Sequence, residues 1–563
     1  MNIHKNLNDR FDRFSSGGSS RVVGIGVSEM IMLTDTGQSA GTIRDLILSA
    51  AQQWPTRPAL AFDRSGEVFT FSQLDILTDK IASYLREEFG IGEADKVALM
   101  LPNVSAYPLL WLALARSGVI TVPLNPAYKI EDARHLLKHS EACLIVTTED
   151  KLDLVHDIQR NCASLRHVLA LKSQGNGLSF LERATARQDS SPQTVPHPDM
   201  VTNIQYTSGT TGLPKGCLLT NRYWFQIADV IVSSMEPALG VDDVILTAQP
   251  FSYIDPHWNL VVALRSGAKL VVLERFRPSQ FWPKVAEYGV TFFYCLGAMP
   301  TLMLEMAASE AETMHRVRRV VCSGIPANRH AELEARYGVP WVEAYGTTET
   351  GADISDWSME EHAALVGSGC LGVVNAYREA RVVDESGNDV GVDAVGQLLL
   401  KGPGMMLGYY KNAEATASAI RDGWYHTGDL VSRDENGRFF FSSRQKDMIR
   451  RGGENISAAE VEAVLETHPD VVIAACIPVP DTLREEEVKA YILLRDREID
   501  PATKVSELLS FAREKLARFK VPRYWEFRDS LPMTPSERVK KTELSGIGEG
   551  ESYDSTTGMW VRG

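Results

Sequence analysis

From residue 42 onward the apolar positions follow two alternating periods. Ile43, Leu46, Ile47, Ala50 and Trp54 share one helical face, and Thr42 with Asp45 forms a capping box ahead of them, which predicts a core helix. Short β-rich runs follow at 96–101, 143–148, 167–171, 244–247, 268–273, 290–295 and 319–322. Helix-period segments such as 280–288 and 329–337 separate several of them. This βα alternation predicts mostly parallel sheets covered by helices.

Between 367 and 441 the pattern changes to glycine-punctuated, β-rich segments such as 380–384 and 397–401, which predict a barrel-like or antiparallel layer. Beyond residue 444 it changes again. Ser457 and Glu460 form a capping box, strands are expected at 471–477 and 488–494, and a helix at about 505–516, the size of a separate α+β domain. The expected fold is α/β, with a large multi-subdomain N-terminal domain over 41–443 and a small mobile domain over 448–545. Residues 1–40, rich in Asn, Ser, Gly and Arg, read as a poorly ordered extension, and 546–563 as a loose tail.

Composition narrows the function. The 563 residues are 44% hydrophobic and 23% charged, enough to bury several cores. With 58 Lys and Arg against 73 Asp and Glu, the net charge of −15 disfavours generic nucleic-acid binding, so an anionic ligand needs local basic groups and oriented backbone amides. The seven cysteines show neither CxxC nor Cys/His spacing, which argues against a disulfide framework and a zinc site. Arg116, Ser117 and Gly118 interrupt the most apolar stretch, 107–124, so no membrane span is expected and a cytoplasmic enzyme is the default.

Chemistry concentrates at residues 206–216, Tyr-Thr-Ser-Gly-Thr-Thr-Gly-Leu-Pro-Lys-Gly. Gly209 and Gly212 let backbone amides approach an anion. Thr207, Ser208, Thr210 and Thr211 add donors, and Lys215 a point charge, as a polyphosphate requires. Pro214 before the lysine and Gly216 after it separate this loop from the Walker type.

Together with four further blocks in order, this loop resembles the acyl-adenylate-forming superfamily: acyl-CoA synthetases, adenylation domains of peptide synthetases and firefly-type luciferases. In Tyr345-Gly346-Thr347-Thr348-Glu349, the resemblance implies that Tyr345 stacks on adenine, Thr348 contacts phosphate and Glu349 holds Mg²⁺. Ser323-Gly324 is similar to the adenine-side turn, and Asp429, in Trp424-Tyr425-His426-Thr427-Gly428-Asp429, to the ribose ligand. Arg444-Gln445-Lys446-Asp447 resembles the hinge, at Lys446, and Arg451-Gly452-Gly453 the CoA-facing start of the small domain.

Two positions depart from the family's pattern. Arg538 stands where the family's adenylating lysine is usual, with Glu537 in place of the preceding glycine and Lys540 or Lys541 as substitutes. Asn221 replaces a frequent histidine. Tyr253, Asp255, His257 and Trp258 occupy the acyl-pocket segment, which resembles carnitine/crotonobetaine-type CoA ligases. Asp255 reads in two ways: with Tyr253, Trp258 or Trp224 it makes an aromatic cage for a quaternary ammonium, or it caps a helix starting at Pro256.

The expected activity is an AMP-forming ligase joining a small carboxylic acid to CoA, with ATP, Mg²⁺ and coenzyme A required. The chain ends soon after Arg538, which disfavours a fused carrier domain. A stand-alone enzyme loading a carrier protein and a weakly active nucleotide-binding homologue are the alternatives. Oligomeric state is open, a homodimer being one option.

Overall fold

The computed structural model describes residues 41–172, 183–184, 195–207, 214–355, 359, 361–451, 454–481, 484–496, 500–534, 537–544 and 551–562. The extension expected over 1–40 lies outside them. Thr42 caps the first helix, Ile43–Gln53, by accepting from the Asp45 amide at 3.1 Å, and Ile43, Leu46, Ile47 and Ala50 are buried as their spacing requires. The apolar stretch at 107–124 is a buried helix, Ala106–Arg116, followed by the strand Ile120–Pro123. Arg116 closes that helix on Asp75 at 3.0 Å and Asp79 at 3.3 Å, so its charge is paired as it is buried. Among the described residues no helix is long and apolar enough to cross a membrane.

The large domain carries two sheets. One has six strands in the spatial order His167–Leu171, Leu144–Thr148, Lys96–Met100, Ile120–Pro123, Val201–Thr207, Lys215–Thr220, parallel except for the last pair. The other has a parallel half, in which Phe292–Leu296, Arg319–Ser323 and Trp341–Thr347 lie side by side. It continues into the β-rich segment expected as a separate layer. The antiparallel return Gly351–Ser355 makes the join, and Cys370–Val374, Phe439–Arg444, Trp424–Arg433, Gly396–Lys401 and Glu379–Val383 follow outward. The hairpin that turns the sheet from parallel to antiparallel is the one carrying Thr348 and Glu349.

The small domain is a third sheet, built on the long antiparallel pair Val471–Asp481 and Glu485–Leu494 and packed on the helices Ala458–Leu465 and Pro501–Lys515. The expected loose tail is corrected here: Glu551–Asp554 and Met559–Arg562 form a hairpin that adds to the strand Tyr524–Phe527. Its short alternation, Tyr553 and Trp560 facing the core with Gly558 at the turn, is too brief to stand out from a polar tail.

Candidate active site

Thr207 ends one strand and Lys215 begins its partner, and the two lie directly opposite each other. Ser208, Gly209, Thr210, Thr211 and Gly212 lie outside the described residues. Lys215 is half-buried, its Nζ 5.0 Å from the centre of the Tyr409 ring. Burial raises the thiol of Cys217, two residues on, well above its usual range, which keeps it neutral.

Tyr345, Gly346 and Thr347 end the strand Trp341–Thr347. A Cβ on Gly346 would lie 2.0 Å from the carbonyl oxygen of Gly351, so only glycine lets the hairpin close. Thr348 and Glu349 sit in the turn. Thr347 and Thr350 share a hydroxyl contact of 2.8 Å, and Thr350 donates to Asp353. Asp353 pairs with Arg378 at 2.7 Å in near-complete burial, and Arg378 also donates to the carbonyls of Thr350 and Pro403. Glu349 accepts from the Tyr409 hydroxyl at Oε1, 2.9 Å, and its backbone carbonyl accepts from Met406 N at 2.7 Å. Among the described residues its other oxygen takes no hydrogen bond and no cation pairs with it. A half-buried carboxylate with one open oxygen, beside a lysine at the exit of the loop, fits a hard, oxygen-seeking cation such as Mg²⁺.

The Tyr345 hydroxyl donates to Asp429 Oδ2 at 2.7 Å, and Arg444 Nε lies 3.2 Å from Oδ1. Asp429 and Arg444 are cross-strand partners, so the register of two neighbouring strands brings together what the sequence separates by fifteen positions. The turn after Arg319–Ser323 is clamped by Glu343, a residue the sequence did not single out. Its carboxyl accepts from Gly324 N at 2.6 Å and Ile325 N at 2.9 Å, while Ser323 Oγ donates to the Ala344 carbonyl at 2.5 Å. Burial pushes Glu343 up to about 7, against those two amides.

On the acyl side the helix runs Asp255–Ser266 with Ile254 as its N-cap, and the side chain of Asp255 caps nothing. The capping reading is therefore corrected: the helix starts one residue earlier than expected, and the Asp255 carboxylate instead accepts from Trp258 Nε1 at 3.4 Å. Burial lifts Asp255 to about 6, opposed by that indole and by the charge of Arg538. Trp258 meets Tyr294 edge-on at 5.3 Å, and Tyr253 stands at the helix entrance beside Asn125. His257 does not belong to the pocket wall as expected. It is fully buried among Tyr107, Trp111, Trp224 and Phe251, with Nδ1 2.8 Å from the Tyr253 carbonyl, and burial holds it neutral with its pKa lowered to about 3. Trp224 is likewise core, its indole donating to Thr202 at 2.8 Å.

The small domain brings Arg538 to this side. Ala298 N donates to the Glu537 carbonyl at 2.6 Å, and the Arg538 charge acts on Asp255, Glu343 and Tyr294. Glu537 takes φ +55°, the left-handed conformation that a glycine in its place would adopt freely. Neither substitute lysine is free. Lys540 binds Glu543 at 2.8 Å, and Lys541 binds Glu462 at 2.7 Å. Arg451, expected to face CoA, is buried, paired with Glu487 at 2.5 Å and donating to the Phe519 carbonyl at 2.6 Å, so it braces the small domain. Gly452 and Gly453 lie outside the described residues, and Lys446 falls in a single 3-10 turn, Gln445–Asp447. Asn221 is structural: its Oδ1 accepts from Ile43 N at 3.0 Å.

Two family models match the chain: an AMP-binding enzyme model over residues 48–410 and an AMP-binding enzyme C-terminal domain over 460–538. The chain is 32% identical over 509 residues to a sulfoacetate–CoA ligase of Cupriavidus necator, covering 89% of this chain and 97% of that protein. It is 32% identical over 521 residues to a crotonobetaine/carnitine–CoA ligase of Escherichia coli, covering 89% and 98%. Its fold superposes on the ATP-bound crystal structure of MatB from Rhodopseudomonas palustris with a TM-score of 0.79 at 26% identity, over 89% of this chain and 98% of that one.

Proposed function

The chain belongs to the AMP-binding enzyme family, and on that premise we propose that it is an AMP-forming acid:CoA ligase. The observation that carries this reading is the reach of Arg538 from the small domain to the acyl side of the large one, where an acid's carboxylate must meet ATP. The carboxylate oxygen attacks the α-phosphorus of ATP in line, the bond to the pyrophosphate oxygen breaks, and acyl-AMP forms. Lys215 and Arg538 neutralise charge on the transferring group, Tyr345 and Asp429 hold adenine and ribose, and Glu349 would hold Mg²⁺. When bound, that ion supplies further neutralisation of the triphosphate. The CoA sulfur then attacks the acyl carbonyl, its proton passes to solvent, and the bond to AMP breaks.

This second step takes the small domain, 448–545, through a rotation about 444–447 that withdraws Arg538 and brings Gly452 and Gly453 to the acyl-AMP. The relatives named CoA ligases favour CoA over a carrier protein as acceptor. A cytoplasmic location, where ATP and CoA are supplied, belongs to the same proposal.

The acid we propose carries a cationic nitrogen. Among the described residues Arg538 is the only cation acting on Asp255, and Trp258 and Tyr294 beside it offer π faces, so an ammonium group would neutralise it while Arg538 takes the carboxylate. Carnitine has such a group, whereas the second anion of sulfoacetate would face Asp255.

Pyrophosphate release, measured over a panel of acids with and without CoA, tests this reading. Release with cationic acids and thioester only with CoA supports it, and no release with any acid defeats it.

A further inference from the structure

Residues 406–410 lie between the phosphate loop's exit strand and the Glu349 turn, and they are tied to both. Leu407 N donates to Leu218 O at 3.0 Å, Leu218 N to Gly408 O at 3.0 Å, and Tyr410 N to Gly216 O at 2.7 Å, while Met406 N holds the Glu349 carbonyl at 2.7 Å. Gly408, at φ +143°, leaves room for Thr416, whose hydroxyl accepts from Tyr409 N at 2.9 Å. A Cβ at Gly408 would lie 2.7 Å from the Thr416 methyl. The Tyr409 backbone is therefore fixed on both sides before its side chain makes any contact.

That side chain is 8% exposed and touches both charged groups of the nucleotide site. Its hydroxyl donates to Glu349 Oε1 at 2.9 Å, and Lys215 Nζ lies 5.0 Å above its ring. The Tyr425 hydroxyl, from the ribose block, lies near that of Tyr409. A carboxylate that accepts at one oxygen has its rotation fixed and presents the other oxygen in one direction only. An ammonium group over a ring face is drawn to one side of it.

We propose that Tyr409 is a positioning residue of the adenylation site, its hydroxyl aiming the free oxygen of Glu349 at the metal and its ring holding Lys215 over the phosphates. The inference rests on the ligase reading above. Tyr409→Phe removes the hydroxyl and keeps the ring, so it separates the two contacts. In the full chain, Mn²⁺ binding followed by electron paramagnetic resonance in the presence of α,β-methylene-ATP should weaken about tenfold, on the scale of losing a metal ligand's hydrogen-bond partner. KM for Mg·ATP in adenylation should rise by a similar factor. KM for the acid, thioester formation from supplied acyl-AMP, and thermal melting should all stay as in the wild type. On a Glu349→Gln background, Tyr409→Phe should change nothing further.

Unchanged Mn²⁺ binding in Tyr409→Phe overturns the proposal, and so does equal loss in both half-reactions with lowered melting, the mark of a packing role alone. A wild-type chain that binds no Mn²⁺ with the analogue overturns the ligase reading, and this proposal with it.

Discussion

The hydroxyl of Tyr345 donates to Asp429 Oδ2 at 2.7 Å, although three other strands of the same sheet lie between the strands that carry them. The ring proposed for adenine and the carboxylate proposed for ribose are thus joined directly. Arg444, on the other oxygen of Asp429, opens the segment proposed as the hinge, so the carboxylate proposed for ribose is also paired with that segment.

Asp429→Asn should weaken that link twice over, by removing the charge paired with Arg444 and one of the acceptors for ribose. KM for ATP should rise about 10-fold to 100-fold, the range for charge-assisted hydrogen bonds of about 1.5–3 kcal/mol. Parallel assays with ATP and 2′-deoxy-ATP check the cause: the wild type should prefer ATP, and the variant should lose most of that preference.

Glu349→Gln should lower adenylation by about 10²-fold or more while the fold melts as before, because the charge facing the metal goes and the shape stays. Pyrophosphate release at several Mg²⁺ concentrations, read together with melting, tests this. Turnover near wild type at limiting Mg²⁺ would remove Glu349 from the site.

Arg538→Ala should abolish adenylation but leave thioester formation from supplied acyl-AMP, and Arg538→Lys should retain activity because a cation still reaches the acyl side. Silent Lys540→Ala and Lys541→Ala variants would agree with their pairing to Glu543 and Glu462. Glu537→Gly should be tolerated, because it relieves a left-handed non-glycine residue costing about 1–2 kcal/mol, whereas Glu537→Val should reduce adenylation by shifting the loop. The two half-reactions must be followed separately.

Asp255, lifted to about 6 by burial, should set a pH dependence on the acid. Above pH 6 it is ionised and attracts a cationic nitrogen; as pH falls through 6 it takes up a proton, and KM for a cationic acid should rise. Asp255→Asn should have a raised KM that is flat across this range. A wild-type KM that falls with falling pH would overturn the assignment.

Glu334, a carboxyl shifted in the opposite direction, should give its signature in stability. Burial raises its carboxyl, but His330, the Trp341 amide at 2.8 Å and His362 at 2.6 Å outweigh it and bring the pKa down to about 2. A carboxyl depressed in the fold stabilises it fully above its unfolded value of about 4.3, and that stability is lost as pH falls toward 2. Melting temperature followed from pH 5 to pH 2 should therefore fall less steeply in Glu334→Gln than in the wild type.

The blocks around Lys215, Glu349, Asp429 and Arg538 stand out in the sequence because a phosphate, metal or ribose contact would require particular residue types at short spacings. The alternating periods likewise fixed the α/β class, since a strand or helix buries its apolar face whatever its neighbours are. Short spacing could not show what register and packing decide. The sequence read His257 as pocket and Arg451 as a CoA contact, yet the first is enclosed by four aromatic rings and the second by Glu487 and a backbone carbonyl. Tyr409, sixty residues from Glu349 and nearly two hundred from Lys215, gave no local signal. It joins them only because a strand-like segment is laid beside the loop's exit strand, and such long-range pairing is settled by backbone hydrogen bonds that every sequence can make.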